Sequence, residues 1–85
     1  MDIKYNITKY FEDNNLFDNN LSNGLTITSD KNILLIKGSS KDLVELADII
    51  VNIAKEKETH IHIDNLTIIN NNSKYKELII EKTKD

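Results

Sequence analysis

The stretch from Ser40 to Lys55 constrains the fold more than any other part of the chain. Leu43, Leu46, Ala47, Ile50 and Ala54 recur with the period of an α-helix, and Val44, Ile49, Val51 and Ile53 widen the stripe until most of the helix is apolar. Polar residues keep one narrow line, Lys41, Glu45, Asp48, Asn52 and Lys55, which is expected to be the only part of this helix that meets water. Gly38-Ser39-Ser40 ends a strand and supplies the cap, with Ser39 and Asp42 at capping-box spacing, while Lys55 and Lys57 complement the dipole at the other end.

On either side of this helix lie runs with the period and composition of strands. Leu25-Thr26-Ile27-Thr28 and Ile33-Leu34-Leu35-Ile36-Lys37 flank the polar turn Ser29-Asp30-Lys31-Asn32, the pattern of a hairpin. Thr59-His60-Ile61-His62-Ile63 and Glu77-Leu78-Ile79-Ile80-Glu81 follow the helix, joined by a stretch whose Asn70-Asn71-Asn72-Ser73 cluster reads as a loop. The order β-β-α-β-β predicts an α+β fold: a four-stranded mixed or antiparallel sheet with one long helix packed on one face. The second and fourth strands are apolar on both sides, so the face opposite the helix needs a cover, supplied either by a homodimer partner or by the N-terminal segment.

Residues 1–24 are ambiguous by period, because Ile3, Tyr5 and Ile7 alternate as in a strand while Ile3, Ile7, Tyr10 and Phe11 fit a helix. Four of the five aromatic residues, Tyr5, Tyr10, Phe11 and Phe17, lie in this segment. They pack onto the core or, beside Glu12, Asp13 and Asp18, form an anchor patch for a protein partner, since buried aromatics dominate many interfaces.

Composition removes whole classes of function. With 85 residues there is room for a single domain and one core, and 39% hydrophobic against 29% charged residues is the balance of a folded chain. The absence of cysteine removes disulfides, thiolate zinc sites and cysteine nucleophiles. All basic residues are Lys, scattered among 14 acidic groups, which argues against nucleic acid as a partner. The N-terminal Met-Asp-Ile-Lys-Tyr-Asn lacks the pattern of a secretory signal and no apolar run reaches membrane-spanning length, so the expectation is a cytoplasmic protein without membrane contact.

His60-x-His62-x-Asp64 is the one pattern with metal-ligand chemistry, because alternate strand positions share a face and imidazole and carboxylate are both competent ligands. Alternate residues advance about 6.6 Å along a strand, so three in a row do not converge on one ion unless the strand bends. The reading is a polar sheet face or partner contact, with no metal and no cofactor. No nucleophile elbow is present, and Gly24 and Gly38 are too few for a phosphate-binding loop. The expectation is a protein without catalysis.

Taken together, the strand ending in Gly38-Ser39, the helix positions Leu43, Leu46-Ala47, Ile50 and Ile53-Ala54, the His60-x-His62-x-Asp64 row and Glu77-Leu78-x-Ile80 resemble a family of short bacterial immunity proteins, the immunity protein thirty-two family. The resemblance spans roughly residues 33–81. It implies a protein that neutralises a cognate bacterial toxin by binding it, with no catalytic residues to carry over. Partner-binding candidates are Tyr10, Phe11, Glu12, Asp13, Phe17, Asp18, His60, His62 and Asp64. A homodimeric interaction module and a small-ligand or metal-binding protein are the alternatives.

Overall fold

A computed structural model describes residues 5–19 and 21–84. The chain is α+β, in the order α1 (Ile7–Asp13), β1 (Thr26–Asp30), β2 (Ile33–Lys37), α2 (Ser40–Ala54), β3 (Thr59–Asp64) and β4 (Glu77–Lys82). Among the described residues no helix is long and apolar enough to cross a membrane.

The long helix forms where its pattern places it. Ser39 caps α2, and the reciprocal bonds of the capping box join its hydroxyl to the Asp42 amide and the Asp42 carboxylate to its own amide. Asp42 is itself buried, and it holds more than the cap: its carboxylate accepts from the Ser22 hydroxyl at 2.7 Å and from the Asn23 amide at 3.3 Å. Burial alone would push this carboxyl up, but the Ser22 and Ser39 bonds outweigh it and hold it below its ordinary value.

The single four-stranded sheet is replaced by two separate antiparallel pairs, β1 with β2 and β3 with β4. The cause lies in residues 68–75, which the Asn cluster marks as a loop but which run beside β1 and satisfy its outer edge. The Leu25 amide donates to the Ile68 carbonyl at 2.6 Å, the Asn70 amide to the Leu25 carbonyl at 2.8 Å, and the Tyr75 amide to the Ile27 carbonyl at 3.1 Å. The Ile27 amide donates to the buried Ser73 hydroxyl at 2.8 Å. With those groups taken, the outer-edge backbone of Leu25 and Ile27 is engaged by residues 68–75 and not by β3 or β4. Gly24 opens this ladder in a left-handed conformation, φ +85°, and a Cβ there would lie 2.8 Å from the Asn70 amide nitrogen.

Leu25, Ile27, Leu46, Ile63 and Ile69 form the buried core, with Ile36, Ile49, Ile68, Leu78 and Ile80 packed around it. The β1–β2 turn is tighter than its polar run of four suggests: Asp30 pairs with Ile33, leaving Lys31 and Asn32 as the loop, with Lys31 at φ +56°.

Three further expectations are corrected. A second helix, α1, exists where the period was ambiguous; Ile3, on which both readings leaned, lies outside the described residues. The polar line of α2 does not simply face water, because α1 packs against α2 and takes up its Lys41 and Asp48, while Tyr5, just before α1, takes up Asn52. The apolar stripe is wider than the core it serves, and Leu43 and Ile50 are each 44% exposed.

Truncation at two buried points tests this packing. Leu46→Ala is expected to cost about 2–5 kcal/mol through the cavity it leaves. Ser73→Ala, which removes one hydroxyl but strands the Ile27 amide, is expected to cost about 1–3 kcal/mol. Urea unfolding of both variants reads these values directly, and an unchanged midpoint for Ser73→Ala would show that the clamp on β1 contributes nothing.

Candidate functional site

Seven residues are too few for a stable isolated helix, so α1 needs help at both ends, and its neighbours supply it. At the start, the Asn6 side chain accepts from the Lys9 amide at 2.8 Å. The Asp48 carboxylate of α2 takes the amides of Ile7 and Thr8 together with the Thr8 hydroxyl. A carboxylate on the first-turn amides also meets the positive end of the helix dipole. Asn52 bonds both backbone groups of Tyr5, and the Lys55 ammonium sits 4.8 Å from the centre of the Tyr5 ring. At the far end Asn15 adopts φ +54°, its amide donates to the Glu12 carbonyl, and the Leu16 amide donates to the Phe11 carbonyl at 2.9 Å. This is a Schellman ending with Asn in the usual glycine position.

That ending reverses the chain and brings Phe17 back to Phe11, ring centres 5.2 Å apart. The two rings belong to an open groove of about 540 Å³ that also holds Glu12, Asn15, Asp18, Asn19 and Lys41. Of the six partner-binding candidates in the N-terminal segment, the structure gathers Phe11, Glu12, Phe17 and Asp18 here. Tyr10 packs edge-on to Phe11 and is 60% exposed, while Asp13 pairs with Lys9 at 3.3 Å on the α1 surface. Glu12 faces Lys41 at 3.8 Å across the α1–α2 junction. Asp18 makes no ion pair among the described residues.

The histidine row occupies a different surface. Directly opposed residues share a face, so His60, His62 and Asp64 of β3 stand with Glu81, Ile79 and Glu77 of β4. The imidazoles meet edge to face at 5.1 Å, and His62 Nδ1 lies 3.5 Å from a Glu77 carboxylate oxygen. Asp64 turns away from them: its carboxylate accepts from the Leu66 amide at 2.9 Å and shapes the following turn. Among the described residues no three or more His, Asp or Glu side chains are placed to hold a metal ion. His60 lines a cleft with Ile49, Ile53 and Ile61 between α2 and β3, separate from the aromatic groove. The Asn-lined hollow beside Gly24 has its amides engaged internally, Asn65 with Asn71 and Asn70 with the Asn23 carbonyl.

Sequence reasoning missed Asp48, Asn52 and Lys41 as the residues that place α1, and Asn15 as the residue that closes the groove. Their signal was faint: a polar line on α2, whose residues look the same in sequence whether they meet water or a second helix. Glu45, on the same line, has its carboxyl pushed up by burial, which Lys41 offsets only in part.

No protein-family model, curated protein or solved structure matches this chain. The assignment of function therefore rests on the surfaces themselves.

Asp48 makes the docking of α1 dependent on pH in a fixed direction. Burial pushes its carboxyl up, but the Thr8 hydroxyl and the Thr8 and Ile7 amides outweigh it and leave the group below its ordinary value of 3.8. A lowered carboxylate contributes stability that is complete above the ordinary value and is lost as pH falls through the folded one. The Thr8 amide and Tyr5 ring resonances are thus expected to hold constant from pH 7 to about 5 and to shift only below about 4. Asp48→Ala should release α1 at neutral pH, at a cost of about 1.5–3 kcal/mol, the range for hydrogen bonds to a charged group.

Proposed function

We propose that this protein acts by binding, as an immunity protein that neutralises a cognate bacterial toxin. One observation carries the reading: Phe11 and Phe17 form the wall of an open groove whose rim holds Glu12, paired with Lys41, and an Asp18 that makes no ion pair among the described residues. Such a groove suits a basic side chain. The ring faces attract a cation, the Asp18 carboxylate neutralises it, and the aliphatic stem of a Lys or Arg covers the aromatic surface. The formal net charge of −3 favours the approach of a basic partner. The groove is positioned by a Schellman turn and by Asp48, so little ordering is required at the moment of binding.

The groove supports binding of a basic partner; that this partner is a toxin rests on the resemblance to short immunity proteins. The groove sits in the N-terminal third, outside the stretch that carries the resemblance. The open edge of β2 favours a second reading, self-association, which uses a different surface.

Co-expression with the product of the adjacent reading frame, followed by affinity capture, is expected to recover one stoichiometric partner that is toxic when expressed alone. Asp18→Lys should weaken that complex by about 10- to 1,000-fold and reduce the salt dependence of its association rate. Failure to recover a toxic partner, or equal affinity for the Asp18→Lys variant, contradicts the proposal.

A further inference from the structure

Among the described residues, the β1–β2 hairpin has one edge engaged by residues 68–75 and one edge without backbone partners. Leu25 and Ile27 direct their amides and carbonyls toward residues 68–75. Backbone groups alternate along a strand, so Thr26, Thr28 and Asp30 direct theirs toward β2, and their partners Lys37, Leu35 and Ile33 direct theirs back. Leu34 and Ile36 therefore present their amides and carbonyls at the outer edge of β2. The side chains along that edge are apolar and uncovered: Ile33 is 67% exposed, Leu34 59% and Leu35 47%.

Natural edge strands are blunted by charge, proline or a bulge. The chain has no proline, and within β2 the sole charge is Lys37 at its end. The other sheet shows the contrast, since charged or imidazole residues recur along both of its strands at His60, His62, Asp64, Glu77 and Glu81. An edge so apolar on both faces, with hydrogen-bonding groups exposed between them, is built to be paired.

We propose that the partner is a second copy of this chain, joined antiparallel through β2 about a two-fold axis at Leu35. Symmetry and the pleat together fix the register. Directly opposed residues share a face, and a two-fold axis perpendicular to the sheet keeps every residue on its own face, so the axis must pass through a residue position. Centring on Leu34 or Ile36 would place one of the two outward-directed residues opposite the Asn32 turn or Gly38. Centring on Leu35 sets Leu34 opposite Ile36 of the second copy and Ile36 opposite its Leu34, each pair exchanging both backbone hydrogen bonds. Lys37 then faces Ile33 of the second copy, and no like charges oppose one another. The result is a continuous antiparallel sheet, β2 pairing with β2 at its centre and β1 flanking on each side. Leu43, which lines the same hollow as Ile36 and Lys37, borders the contact. A pairing of five residues buries less than the about 800 Å² per partner of a standard interface, so the dimer forms in the micromolar range.

Because the chain contains no cysteine, single substitutions report the register cleanly. Leu35 lies opposite its own copy as a non-hydrogen-bonded pair, with Cα atoms about 4.5 Å apart, within disulfide reach. Leu34 is diagonal to its copy at about 7–8 Å, beyond it. Sedimentation of the wild-type chain should show mass rising from monomer to dimer between about 1 and 100 µM. Under mild oxidation Leu35→Cys should cross-link at least about 10-fold faster than Leu34→Cys. Leu35→Lys, at an exposed position, should keep its far-UV circular dichroism and remain monomeric. A wild-type monomer at about 500 µM overturns the proposal, as does faster cross-linking through Leu34→Cys. Recovery of β2 paired only with a different protein does the same.

Discussion

The structure depends on how the outer edge of β1 is satisfied. Residues 68–75 supply one backbone bond after another to Leu25 and Ile27, interrupted once where the Ser73 hydroxyl substitutes for a main-chain group. This places Leu25, Ile27 and Ile69 in the centre of the core and separates the two hairpins. It also leaves the opposite edge of the same hairpin, β2, as the open one. A segment without strand periodicity closes one side of a small sheet and so determines which side can associate.

The helix pair shows the same economy of contacts. Asp42 and Asp48 stand six residues apart on α2, and each uses its carboxylate to hold a different part of the preceding chain: Asp42 takes Ser22 and Asn23, Asp48 takes Ile7 and Thr8. Burial disfavours both charges, yet hydrogen bonds to the ionised form prevail in both. The aromatic groove is a product of this anchoring, since Phe11 and Phe17 meet only because α1 is fixed at its start and reversed at its end.

How much of this could be read from the residues depended on whether the signal was periodic. The α2 helix and its capping box were legible because nine apolar positions and a Ser-x-x-Asp cap agree. The β2 strand is found with the bounds its apolar run suggests, and β3 and β4 to within a residue. The role of 68–75 was not legible, because its pairing is carried by Ile68, Asn70, Ser73 and Tyr75 across an Asn-Ser cluster without strand alternation, and the β-sheet was expected to be continuous for that reason. Docking of α1 was hidden likewise: charged and amide residues on α2 look the same whether they meet water or the amides of a short helix. At the candidate site, the aromatic and acidic residues near Phe11 were visible as a composition, but their convergence required the left-handed turn at Asn15. His60, His62 and Asp64 share a face as their spacing demands, yet Asp64 serves its own turn.

Backbone hydrogen exchange tests the central claim most directly, because it distinguishes the satisfied edge of the hairpin from the open one. In a dilute sample, amides of Leu25, Ile27, Asn70 and Tyr75 are expected to exchange at least about 100-fold more slowly than those of Leu34 and Ile36. Rapid exchange at Asn70 and Tyr75, or equal protection of Leu34 and Ile36 under the same dilute conditions, would contradict the account.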